Sequence, residues 1–282
     1  MSGLSTSLPE FTEKLLSAAR LAGADAADAL ASVGSAIEIN VRSGVLEQAE
    51  RSEAMDLGLR VFIGQRQAVV SGSDLRDDTL STMAERAVAM AKEAPDDPYA
   101  GLAAPEQLAM DWNIEELELY DAQPEPSAAA LEADALAAEA AALRVAGIEQ
   151  VDAASASYGS GQVHFQTSAG FAGGYQRSSR SISCVVIAGT GLQMERDYDF
   201  DNRIFQEDLT DPAEIGANAG ARAVARLKPS KPPTGQFPVL FDERVASSLI
   251  GHFLGAINGA SVARGSSWLL EGLGQQVFPD GT

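Results

Sequence analysis

At 282 residues the chain is about twice the size of a common domain, and 45% of it is apolar, enough for real cores, so two or three structural units are expected. Forty acidic against twenty basic residues give a net charge of −20. That charge opposes a phosphate backbone and argues against nucleic acid as a direct ligand.

In chain order, the opening MSGLSTSLPEFTEK lacks the basic start and apolar core of a secretory signal. Apolar runs such as CVVIAG fall far short of the roughly 20 residues needed to cross a bilayer. The single cysteine, Cys184, can form no internal disulfide, which fits a reducing compartment. A cytoplasmic protein without membrane association is expected. Residues 9–22 space Phe11, Leu15, Ala18, Ala19 and Ala22 at intervals of three and four, which predicts an amphipathic helix ended by GADAAD. From Ser35 to Ser73 the alternation of AIEINVRS, then LGLRVFIG and QRQAVVSG around a turn at Gly64 and Gln65, predicts antiparallel hairpins. Asp77 or Asp78 is placed to cap a helix over Thr79 to Lys92, before the Pro-rich connector EAPDDPYAGLAAP.

A second passage of helix and strands follows DAQPEPS. Ser127 is placed to cap the Ala-rich run AAALEADALAAEAAALRVAG, whose leucines and lack of internal Gly or Pro favour helix. Residues 151–207, rich in Ser, Gly, Val and Ile, predict several strands, with GSG at 159–161, GFAGG at 170–174 and GTG at 189–191 as hairpin turns. An Asp-capped helix, DPAEIGANAGARAVARLK, closes the passage. The two passages match each other in order. AGADAADA at 22–29 parallels AGIEQVDA at 146–153, DLRD at 74–77 parallels DLTD at 208–211, and RAVAMAK at 86–92 parallels RAVARLK at 222–228. The reading is an α+β fold made of a duplicated helix–antiparallel strands–helix unit, followed by the start of a third, β-containing region. Boundaries are placed at 1–120, 121–232 and 233–282. The third region should open with a strand, QFPVLF, and a helix capped by Asp242. The chain then stops on an apolar-to-turn transition and reads as a fragment of a longer protein.

The chemical candidates reduce to few. In the third-region helix Val245, Leu249, Phe253 and Ile257 form an apolar stripe expected to face a core, and Ser247, Gly251, Gly255 and Gly259 form a second stripe suited to close backbone contact. Arg244, Ser248 and His252 form a third. Asp242 and Glu243 favour the positive end of the helix dipole and stand on the order of 14 Å from His252, so a metal or acid/base centre is not indicated. His164, in QVHFQTS, is expected on the less buried face of a strand, and Cys184 is expected as a small buried thiol. Glu195, Asp197, Asp199 and Asp201 alternate without the Gly and the later Glu of a calcium loop, and are expected on a solvated strand face.

The segments FPVLFDERVASSLIGHFLGAINGASVARGSSWLLEGLGQQVF and GLRVFIGQRQAVVSGSDLRDDTL resemble the TldD/PmbA family, most closely its PmbA branch, also called TldE. Members are longer, and a missing final third would account for the abrupt end. The resemblance implies a cytoplasmic subunit of a two-part metallopeptidase complex acting on unfolded peptides, in which the TldD branch carries zinc on H-E-x-x-x-H. Here His252 is followed by Phe253 and no later histidine, so that motif cannot be carried onto this chain. The implied reading is a non-catalytic partner of a TldD-like subunit, with zinc in the partner and none in this chain, helping to enclose extended peptide; in isolation it could form a homo-oligomer. The alternative is a regulatory protein, a modulator of DNA gyrase, acting through its acidic surface. No residue is assigned a catalytic, cofactor or metal role. Arg244, Ser248, His252 and Arg264 are the candidate contacts to peptide or partner.

Overall fold

The computed structural model describes residues 8–109 and 113–279. The chain divides into two compact units, one up to Pro229 and one from Ser230 onward.

In the first unit, helix α1 (Leu8–Ala22) buries Leu15 and Ala19 of the expected stripe together with Leu8 and Thr12, while Phe11, Ala18 and Ala22 are half-buried. Strand β1 (Ala26–Arg42) begins well before Ser35. Its early inward positions are Ala27, Ala29 and Ala31, all buried, and alanine is a poor strand former that only packing beneath helices holds extended. A turn with Ser43 at φ 55° and Gly44 at φ 73° leads to β2 (Val45–Ile63), the twist-matched geometry that favours glycine in two-residue hairpins. β3 (Arg66–Gly72) and helix α2 (Asp77–Glu93) follow. Neither Asp77 nor Asp78 caps α2. Arg76 holds the N-cap position without a side-chain cap, and Asp74 instead receives the Arg76 N–H at 3.1 Å and the Thr79 hydroxyl at 3.0 Å.

The second passage repeats this order. Helix α3 (Ala128–Leu143) is capped by Ser127, whose hydroxyl oxygen accepts the Ala130 N–H at 3.2 Å. Strands β4 (Ile148–Thr167), β5 (Ala172–Ala188) and β6 (Glu195–Arg203) lead to helix α4 (Pro212–Ala225), capped by Asp211 on the Ala213 N–H at 2.7 Å. Gly170 and Gly189 do sit at turns, whereas GSG at 159–161 lies inside β4.

All six strands form one antiparallel sheet in the order β3-β2-β1-β4-β5-β6. The two copies are thus related by a pseudo-twofold through the β1–β4 ladder, near whose middle Gly34 pairs with Gly161 and Ser35 with Ser160. One core lies under α1 and α2 and a second under α3 and α4. Strand β1 serves both: Ala27, Ala29 and Ala31 enter the first, and Ile37, Ile39 and Val41 enter the second. Because inward residues recur at every second position without a break, both helix pairs cover the same face of the sheet.

The second unit holds helix α5 (Glu243–Ala256), capped by Asp242 on the Arg244 N–H at 3.0 Å, and the short helix α6 (Gly259–Ala263). The strand expected at QFPVLF is not formed. A strand is defined by its ladder, and among the described residues of this unit no other strand is available to pair with it. The apolar stripe of α5 is not a core either: Val245, Leu249 and Ile257 are about half exposed, Phe253 is half-buried, and Ala256 is the buried residue of the helix. Among the described residues nothing approaches within 4 Å of a Cβ built on Gly251, Gly255 or Gly259, so none of them supplies the expected backbone contact there.

Candidate functional site

The helical spacing of α5 brings Arg244, Ser248 and His252 to one stripe, as the sequence indicates. Local bonds engage two of them. The Arg244 guanidinium lies 3.2 Å from the Asp242 carboxylate, and the Ser248 hydroxyl donates back to the Val245 carbonyl at 2.5 Å. His252 is exposed on the same helix. Arg264 is the residue capping the end of α6.

In the first unit the polar side chains are organised by the helix-covered face. Glu195, Asp197, Asp199 and Asp201 do not form a solvated row. They alternate toward α4, with Asp197 and Asp199 buried; Arg222 pairs with Asp199, and Arg226 stands 3.4 Å from Asp197. Tyr198 and Phe200 occupy the other face of β6, about half exposed and stacked with centroids 6.0 Å apart. The sequence carried a usable sign of this inversion: Arg222 and Arg226 lie one turn apart on the next helix, matched to alternating acids. Arg180 is buried on β5 and pairs with Asp134 of α3. Burial pushes the Asp134 carboxyl above its ordinary value while the Arg180 charge pulls it back.

His164 also lies on the helix side rather than the open one. Its Nδ1 stands 2.9 Å from the Thr12 hydroxyl of α1, and burial lowers its pKa below 6.5, keeping the ring neutral near pH 7. Cys184 is fully buried and its thiol is pushed up to about 12 by burial, with Glu139 and Asp199 adding to the shift, so no thiolate nucleophile is available. Glu139, buried on α3, accepts the Ser43 and Gly44 N–H groups at 2.6 and 2.8 Å, tying the second copy's helix to the first copy's hairpin. Among the described residues no group of three or more His, Cys, Asp or Glu is arranged to hold a metal ion, so these side chains do not fit a zinc site.

Sequence reasoning did not find the concave feature at the edge of β5. The segment 114–120 of the connector and the outer edge of β5 enclose a cavity of about 580 Å³, lined by Glu115, Glu118, Tyr120, Gln162, Tyr175 and Phe205, together with neighbouring backbone. Its parts are scattered over some ninety positions with no motif to link them; the one local sign is a tyrosine, Tyr120, just after a run of acids.

Comparison with known proteins places this architecture. The PmbA/TldA metallopeptidase patterns for domain 1, the central domain and the C-terminal domain match residues 27–91, 121–227 and 234–281. The metalloprotease PmbA homolog of Haemophilus influenzae is 36% identical over 261 residues, 92% of this chain and 57% of that protein. The chain belongs to the PmbA/TldD family. Metalloprotease PmbA of Escherichia coli O157:H7 is 34% identical over 91% of this chain and 56% of its own length, so the chain spans somewhat more than half of these PmbA relatives. Among solved structures, a candidate DNA-gyrase modulator from Bacteroides thetaiotaomicron superposes with TM-score 0.80 at 22% identity, covering 93% of this chain and 60% of that one. TldE from Thermococcus kodakarensis gives 0.62 at 16% identity over 76% of this chain and 47% of its own. At such identities these structures share the PmbA/TldD fold. No helix among the described residues is long and apolar enough to cross a membrane.

Proposed function

We propose that this chain belongs to a non-catalytic, cytoplasmic subunit that pairs with a TldD-type zinc metallopeptidase and helps enclose unfolded peptides for its partner to cleave. The observation that carries the reading is the kinship with PmbA metalloproteases in a chain whose own histidines are two, His164 and His252. A hydrolytic zinc needs about three protein ligands and an open position. His164 is engaged by Thr12 inside the first unit, and His252 stands on α5 in the second with Phe253, not an acid, after it. These residues therefore support placing the catalytic metal in the partner. Arg244, Ser248, His252 and Arg264 remain the proposed contacts to peptide or partner, with Ser248 the weakest, since its hydroxyl already donates to Val245.

The test is reconstitution. The purified chain, a TldD-type subunit and a labelled unfolded peptide should give zinc-dependent cleavage in the mixture, with the two chains copurifying. A mixture inert with and without zinc overturns the reading. In that case tight, salt-sensitive binding to gyrase would support a regulatory role through the acidic surface, a reading favoured by the net charge of −20 and by the gyrase-modulator description of the Bacteroides structure.

A further inference from the structure

The outer edge of β5 is open where it meets the connector. The β5–β6 ladder begins at Arg180 opposite Arg203, so no strand lies against Ala172–Ser179 on that side among the described residues. There the Ser178 N–H donates to the Leu119 carbonyl at 3.1 Å. Regular alternation turns the N–H and C=O of Gln176 toward the same edge. Gly174, where a Cβ would lie 2.1 Å from the Val163 carbonyl oxygen of β4, departs from that alternation, and both residues line the cavity.

Open edges are usually blunted with charge, and the equivalent edge of the first copy obeys that rule. β3 pairs with β2 only from Leu57 onward, and the uncovered part of β2 carries Glu47, Glu50, Arg51 and Glu53. The uncovered part of β5, Ala172–Ser179, carries one charge, Arg177, and its first five residues, Ala-Gly-Gly-Tyr-Gln, carry none. Beside it the cavity has two carboxylates, Glu115 and Glu118, no lysine or arginine in its lining, and the rings of Tyr120, Tyr175 and Phe205. Gln162 Oε1 lies buried beside it with no hydrogen-bond partner among the described residues. Glu118 sits at φ 47°, a strained left-handed conformation for a non-glycine residue. The segment is held in place by Asp121, whose carboxylate accepts the Gln206 and Gln123 N–H groups at 2.9 Å and whose own N–H donates to Ser178 Oγ at 2.8 Å.

Two carboxylates with no ion pair among the described residues, beside aromatic faces, select a cationic side chain. The geometry points to an extended peptide that adds as a strand along Gln176 and places a lysine or arginine side chain in the cavity with Glu115, Glu118 and Tyr120. This rests on the peptide-enclosing reading above and names the subsite and the residue class it prefers.

The experiment uses the 282-residue chain and two fluorescent extended peptides that differ only in one lysine replaced by norleucine, followed by anisotropy. The lysine peptide should bind about tenfold tighter. E115Q/E118Q should erase that preference, whereas E47Q/E50Q, which removes the same charge at the other edge, should leave it intact. Hydrogen exchange should show the Gln176 amide open in the free chain and protected by either peptide. A preference that survives E115Q/E118Q, or falls equally with E47Q/E50Q, overturns the assignment. So does protection of that amide in the free chain, which would show the edge covered by the chain itself or by a second copy. Cleavage by the reconstituted mixture separates the two levels: cleavage without lysine preference defeats the subsite alone, and preference without cleavage defeats the complex reading alone.

Discussion

Cys184 shows how burial settles the chemistry of a single residue. Its Cα lies opposite Ala154 on β4 and Asp199 on β6, and the thiol faces the core under α3 and α4. Removing water from the sulfur penalises the thiolate and raises the pKa from 9.0 to about 12. Two outcomes are expected. A thiol reagent at pH 8 should label Cys184 only as fast as the chain unfolds, and at once in denaturant. The raised pKa also means the folded state holds its proton longer than the unfolded state, so this contribution to stability is complete below pH 9 and is lost as pH rises toward about 12. The stability difference between the natural chain and Cys184→Ala should therefore be flat below pH 9 and change above it. Rapid labelling of the folded chain would contradict the burial.

At the scale of elements, glycine separates close packing from an open helix face. In α4 a Cβ on Gly216 would lie 1.9 Å from the Ala138 carbonyl oxygen of α3, so the two helices cross backbone to backbone there. Gly216→Ala should cost about 1–3 kcal/mol or more, because α3 must move away from α4. Gly251→Ala in α5 meets open space and should stabilise its helix by about 0.5–1 kcal/mol. Denaturant melts of both variants read the contrast, and equal effects would mean the α3–α4 crossing is looser than described. The sequence placed backbone contact on the glycines of α5, and it belongs to GANAG in α4. Residue spacing identifies a small-residue stripe but not the helix that meets it. The same limit governs the acids of β6: alternation revealed two faces, while only the position of α4 decided which was covered. Helix ends carried stronger local information, and Ser127, Asp211 and Asp242 all cap as expected. The early part of β1 was hidden because alanine carries little strand signal, and QFPVLF looked like a strand because apolar character alone supplies no pairing partner.

Across the whole molecule, the duplication was legible because two helix-bracketed passages repeat short motifs in order. That they join through β1 and β4 into one sheet was not, since a pairing such as Asp28 with Thr167 is set by long-range packing and leaves no local mark. The cavity beside β5 was illegible for the same reason. The division at Pro229 and Ser230 has a direct consequence for protease sensitivity. Residues 229–242 carry no helix or strand, and Leu240 and Phe241 are 97% and 50% exposed in a Pro-rich stretch. The first unit has two cores and a continuous six-stranded sheet, whose opening requires global unfolding. A chymotrypsin-type protease at low dose should cut in the exposed irregular stretches, after Leu240 or Phe241 and after Tyr99 of the connector, before it cuts within any strand or helix of the first unit. The product ending at Leu240 or Phe241 should keep the far-UV dichroism and single melting transition of the sheet and its four helices, because no buried residue of either core lies beyond Ala223. Mass spectrometry of the first stable products reads the cuts, and early cleavage within any of the six strands would show that the two copies do not stabilise one another as one sheet.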